Sequence, residues 1–71
     1  MKAGDVLRLD RAASVQFMIP IAVRVIRRLD WPTYHGWCWI DCYQLDSRGH
    51  AIARRTLFVQ PEHVRCVHAG G

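Results

Sequence analysis

Two alternating apolar runs joined by Asp46-Ser47-Arg48-Gly49 constrain this chain more than any other feature. The link is made of turn-forming residues, and its flanks, residues 37–45 and 51–60, carry the β-branched and aromatic side chains of strands. A tight antiparallel hairpin is expected. In its first arm Trp37, Trp39, Asp41, Tyr43 and Leu45 share one face, while Cys38, Ile40 and Cys42 share the other. The second set is small and apolar enough to be core. Trp37 and Trp39 would then lie outside, where they need cover from residues 10–20, from Arg stems or from another chain. With the faces reversed, the tryptophans are core and the cysteines rim. Packing in a core or under a loop is favoured over a binding groove, because large aromatics are usually buried. A peptide groove or methyl-ammonium cage is the alternative.

Upstream, Gly4-Asp5-Val6-Leu7-Arg8-Leu9 alternates as a short strand, expected at a sheet edge, with Leu7 and Leu9 on one face and Arg8 on the other. Residues 10–20 break the pattern and read as a long loop ending at Pro20. Residues 21–29 alternate Ile21, Val23 and Val25 against Ala22 and Arg24, and a slip of phase at Ile26 and Arg27 predicts a bulge. Residues 30–36 form a turn-rich connection. After the hairpin, Pro61-Glu62-His63 stops the fourth strand and predicts one helical turn, with a last strand at residues 64–67 and a frayed tail at 68–71. The 71 residues form a single domain, residues 1–71, whose own core leaves little stability to spare.

Charge and cysteine usage narrow the classes. Ten Lys and Arg against six Asp and Glu give a net charge of +4, and nine of the ten cations are Arg, the side chain best matched to phosphate, carboxylate and aromatic faces. No apolar run approaches the ~20 residues that span a bilayer. Residues 1–5 show no apolar signal region, so a soluble, cytoplasmic protein without membrane contact is expected. Cys38, Cys42 and Cys66 cannot all pair within one chain, which argues for reduced thiols.

The order of strand, long loop, strand, aromatic connection, long strand, tight turn, strand, helical turn and short strand resembles the SH3-like small-barrel superfold over essentially the whole length. The Gly4-Asp5 opening, the hairpin at Asp46 to Gly49 and the Val59-Gln60-Pro61 step into Val64 carry that resemblance. It implies an all-β, five-stranded antiparallel SH3-like barrel with one short helical turn before the last strand. The segment Asp30-Trp31-Pro32-Thr33-Tyr34 with Gly36-Trp37 is also similar to a set of short, functionally uncharacterised actinobacterial proteins. That likeness implies a cytoplasmic bacterial protein. In plan the chain is similar to the type II dihydrofolate reductases, which assemble four copies around a pore. Their active-site motif, Val-Gln-Ile-Tyr-Pro, is replaced here by Leu57-Phe58-Val59-Gln60-Pro61. Phe58 and Gln60 stand where that family has Gln and Tyr, so neither functional residue carries over.

Zinc is the first chemistry that His35, Cys38, Cys42, Cys66 and His68 suggest, but four residues of one strand put Cys38 and Cys42 ~13 Å apart, too far for one tetrahedral ion. Small buried cysteines are the preferred reading, and no metal or cofactor is expected. No catalytic constellation is legible. Asp41 reads as a solvated strand-face carboxylate, and no Gly-rich phosphate cradle opens a helix. A non-enzymatic binding module is therefore expected.

Its preferred ligand is RNA or single-stranded DNA. Arg24 and Arg28, leaving the same side of the second strand, would act with Arg54 and Arg55 on phosphates, while Trp31, Tyr34 and Trp37 stack on bases. Arg8 and Arg11 lie near the first strand. The competing bland reading of these arginines is a solvated edge that discourages aggregation. The alternative function is a protein-interaction or homo-oligomerisation domain in which Trp31, Tyr34, Trp37 and Trp39 are buried against a second chain. A small-molecule site in an oligomeric pore, near His50, His63 and Tyr43, is a distant third.

Overall fold

The computed structural model describes residues 1–10 and 19–68. Five strands, β1 (Val6–Leu9), β2 (Ile21–Leu29), β3 (Cys38–Leu45), β4 (Ala51–Val59) and β5 (Arg65–His68), form one antiparallel sheet in the order β4-β3-β2-β1-β5. The only helix among the described residues is a 3-10 turn at Pro61–His63. Pro61 cannot donate to the ladder, so β4 ends there, and the His63 and Val64 amides donate to the Gln60 and Pro61 carbonyls at 3.0 and 3.2 Å. No helix of the described residues is long and apolar enough to cross a membrane.

The β3–β4 hairpin forms where the turn chemistry places it. The Gly49 amide donates to the Asp46 carbonyl at 3.0 Å, and the Asp46 amide donates to the His50 carbonyl at 2.9 Å. Gly49 takes a φ of +83°, which a side chain would disfavour. Asp46 Oδ1 accepts from the Arg48 and His50 amides at 2.8 and 2.9 Å. These backbone donors, His50 foremost, hold the Asp46 carboxyl below the usual carboxylate range.

Alternation decides which face dries. Leu7, Leu9, Val23, Val25, Cys38, Ile40, Cys42, Leu57 and Val59 are each at most 2% exposed and form one cluster, with Ile21 and Val64 packed against it. They meet as ladder partners: Leu7 opposite Val23, Val25 opposite Cys42, Ile40 opposite Leu57 and Cys38 opposite Val59. Fully burying each aliphatic side chain is worth ~1.5–3 kcal/mol. Cys38 and Cys42 are therefore core, and the tryptophans leave the other face, called the outer face below. Burial pushes the Cys42 thiol up to about 11 and raises Cys38 as well.

Three expectations change. β1 is not an edge strand, because β5 returns to pair with it and leaves β4 and β5 as the edges. His68 belongs to β5, opposite Val6, rather than to a frayed tail. Asp41, expected to be solvated, is 5% exposed. The predicted bulge is present: Val25 pairs with Cys42 and Arg27 with Asp41, leaving Ile26 between them. The loop expected at residues 10–20 and the end of the tail fall largely on residues 11–18 and 69–71, outside the described residues.

Candidate functional site

Directly opposed residues of an antiparallel sheet project from the same face, so the register writes out the outer face as successive cross-strand rows. Phe58, Trp39 and Leu29 make the first, and Thr56, Asp41 and Arg27 the second. The third runs Arg54, Tyr43, Arg24, Val6 and His68. The last holds Leu45, Ala22, Arg8 and Arg65. From Trp39 to Leu45 the face extends ~20 Å along the strands.

Aromatic rings occupy one end. Trp37 stacks on Phe58 with centroids 4.6 Å apart and planes 13° from parallel, and Trp39 lies 4.8 Å from the same Phe58 ring, tilted by 39°. Trp31 reaches Trp39 at 5.5 Å, and Tyr34 meets Phe58 edge-on at 6.5 Å. The connection between β2 and β3 makes this possible by turning tightly: the Trp37 amide donates to the Tyr34 carbonyl at 3.1 Å, with Gly36 at a φ of +83°. Tyr34 and Trp37 thus flank one turn and both contact Phe58. The outer-face tryptophans are covered by one another, by Phe58 and by the connection. Cover is incomplete, since Trp31 is 51% and Tyr34 77% exposed. Pro32, Thr33, Tyr34, Trp39 and Phe58 line a groove of about 400 Å³.

Charge fills the next two rows. Arg54 donates to Asp41 through Nη2 to Oδ2 at 2.6 Å and Nε to Oδ1 at 3.2 Å. Arg27 Nε lies 3.8 Å from the same carboxylate. The hydrogen bonds from Arg54 hold the Asp41 carboxyl below the usual carboxylate range and raise Arg54 in turn. Beside them Tyr43, 39% exposed, sits between Arg54 and Arg24 as a direct neighbour of both. Cations flanking an exposed ring supply both contacts that a single strand requires, phosphate pairing and base stacking.

The sheet separates the four arginines named from sequence. Arg24 and Arg54 share the outer face with Trp31, Tyr34 and Trp37. Arg28 does not: the bulge reverses the phase of β2, so Arg28 lies opposite Ile40 and beside Cys38 on the core side. Arg55 is opposite Cys42 and donates to Gln44 Oε1 at 3.0 Å. Alternation alone gave Arg27 and Arg65 no part in the site, placed Arg8 only near the first strand, and gave Tyr43 no stacking role. His50 and His63 are exposed, His50 at the hairpin turn and His63 in the 3-10 turn, whereas Tyr43 lies two rows from the aromatic end and one row from Arg8 and Arg65. Among the described residues no three His, Cys, Asp or Glu side chains gather where a metal could be held. Arg11 lies outside the described residues.

No family model and no curated protein matches the sequence, and no solved structure matches the fold.

Proposed function

We propose that this domain is a non-enzymatic module that binds single-stranded nucleic acid, RNA or DNA, along the outer face of its sheet. The observation that carries this reading is the row Arg54, Tyr43, Arg24: an exposed ring flanked by two guanidiniums. Arg24 is the freer cation, because Arg54 is already paired with Asp41. Tyr43 offers the stacking surface, and Trp31 and Tyr34 offer a second at the aromatic end. In this reading the sheet curls into an SH3-like small barrel. Its strand order and the 3-10 turn before β5 support that plan. A cytoplasmic setting belongs to the same proposal and suits two buried, unpaired thiols.

The test is fluorescence anisotropy with a mixed-sequence oligonucleotide across a salt series. Each phosphate contact on a single strand contributes about −0.7 to the slope of log affinity against log salt, so Arg24→Gln should flatten the slope by about that much. Tyr43→Ala should weaken binding by the ~1–3 kcal/mol of one stacked base. Binding indifferent to salt, or unchanged in both variants, would overturn the proposal.

One observation favours a second reading. Trp31 and Tyr34 are exposed beside an apolar groove, as residues at the centre of a protein interface would be in the free chain. Light scattering coupled to size exclusion separates the two. A stable dimer or tetramer indifferent to salt and oligonucleotide assigns the aromatic end to a protein contact, and a strict monomer without a protein partner removes that reading.

A further inference from the structure

The last row of the outer face carries a charge arrangement that the Arg54, Tyr43, Arg24 row does not require. Arg8 and Arg65 are direct partners across the β1–β5 ladder, and both are exposed. Direct partners stand ~4.5–5.5 Å apart at Cβ, where like charges oppose pairing. Among the described residues, the carboxylate that pairs with outer-face arginines is Asp41, and it is taken by Arg27 and Arg54. Neither Arg8 nor Arg65 reaches it. On its other side Arg8 faces Ala22, a small residue that leaves the sheet surface open. There a groove of about 360 Å³ is bounded by Arg8, Pro20, Ile21, Ala22 and Val67. An apolar hollow of this size with a charged group at its rim has the composition of a small-ligand site.

We propose that Arg8 and Arg65 together hold a terminal phosphate monoester, with the attached nucleoside in the adjacent groove, so that the domain recognises the phosphorylated end of a strand. The proposal rests on the nucleic-acid reading for the polymer, but not for the phosphate site itself. The charge match favours an end over an internal link. A phosphodiester carries one negative charge, whereas a phosphate monoester carries about −1.5 to −2 at pH 7 and presents three acceptor oxygens. Two guanidiniums at one ladder position match the monoester in charge and in bidentate geometry. An anion there also removes the repulsion between them.

The experiment compares one oligonucleotide in three forms, with a 5′-phosphate, with a 3′-phosphate and with hydroxyl ends, together with AMP, adenosine and inorganic phosphate. Binding is read by anisotropy and by the shift in Tm. A phosphorylated end should tighten binding about tenfold, the worth of one charge-assisted hydrogen-bond set, and AMP should compete where adenosine does not. The R8Q/R65Q double variant removes a repulsive pair and is expected to fold. It should lose the preference for phosphorylated ends, with all three strands weakened alike by the loss of two outer-face cations. Equal affinity for all three strands, or a preference that survives in R8Q/R65Q, would overturn the proposal. If no strand binds, a Tm rise with AMP or inorganic phosphate in the wild type alone keeps the phosphate site while the nucleic-acid reading fails. No rise from either overturns both.

Discussion

Arg54 and Asp41 lie two residues out of register across the β3–β4 ladder, diagonal neighbours on one face, and Arg54 closes that offset with a two-pronged hydrogen bond whose shorter arm is 2.6 Å. The carboxylate is nearly buried and the guanidinium largely exposed. Asp41 is therefore the fixed member of the pair, anchored in the sheet beneath the cations, and it holds Arg54 and Arg27 in place beside Tyr43.

That geometry sets a pH dependence. The carboxyl groups of Asp41 and Asp46 are held below their ordinary range in the folded chain. Their stabilising contribution is fully present above the unfolded value of ~3.9 and is lost as pH falls through the lower folded values. Asp41→Asn should lower the urea midpoint at pH 7 and flatten the acid limb of the stability profile. An Asp41→Asn profile parallel to wild type from pH 7 to pH 2 would contradict this role.

Phe58 touches three other aromatic rings and is the piece on which the cluster rests. Phe58→Ala should cost about 2–4 kcal/mol, below the full range for a buried Phe because the residue keeps some exposure. The matching observation is a fall in Tm together with a red shift of tryptophan emission, as Trp37 and Trp39 lose their cover.

Gly36 has open space where a Cβ would project but a φ of +83°. Gly36→Ala should therefore cost about 1 kcal/mol through backbone strain alone, or roughly 4–8 °C in Tm. Gly36→Asn should recover part of that loss, since Asn tolerates the left-handed region. Equal Tm values for the Ala variant and wild type would show that the Tyr34 to Trp37 turn does not need this conformation.

The thiols should react in two classes. Cys66 is exposed, whereas Cys38 and Cys42 lie in the core and their thiols are pushed toward the protonated, unreactive form. Mass spectrometry after brief alkylation should show one adduct on the native chain and three after unfolding. Rapid triple labelling without denaturant would mean that the sheet opens readily.

The sequence by itself determined the strands, their turns and the two side-chain sets of β3, and packing decided which of the two sets dries. Period-two alternation at Cys38, Ile40 and Cys42, a Gly-ended turn at Asp46 to Gly49 and a Pro at 61 act locally, and local rules carry them. The tertiary structure decided which arginines share a face with the aromatic rings. Counting back through the hairpin from Leu45 opposite Ala51 would place Leu57 across from Trp39 and turn Arg55 outward. The irregularity between Gln44 and Leu45 shifts the pairing by one, so that Phe58 meets Trp39 and Arg54 meets Tyr43. The bulge at Ile26 does the same to β2, keeping Arg24 outside and moving Arg28 to the core side. Because side chains alternate strictly, one extra residue exchanges the faces of everything beyond it. Arg65 joins Arg8 only because β5 pairs with β1 across more than fifty residues of chain, a contact set by how the sheet assembles and not by any neighbour in sequence.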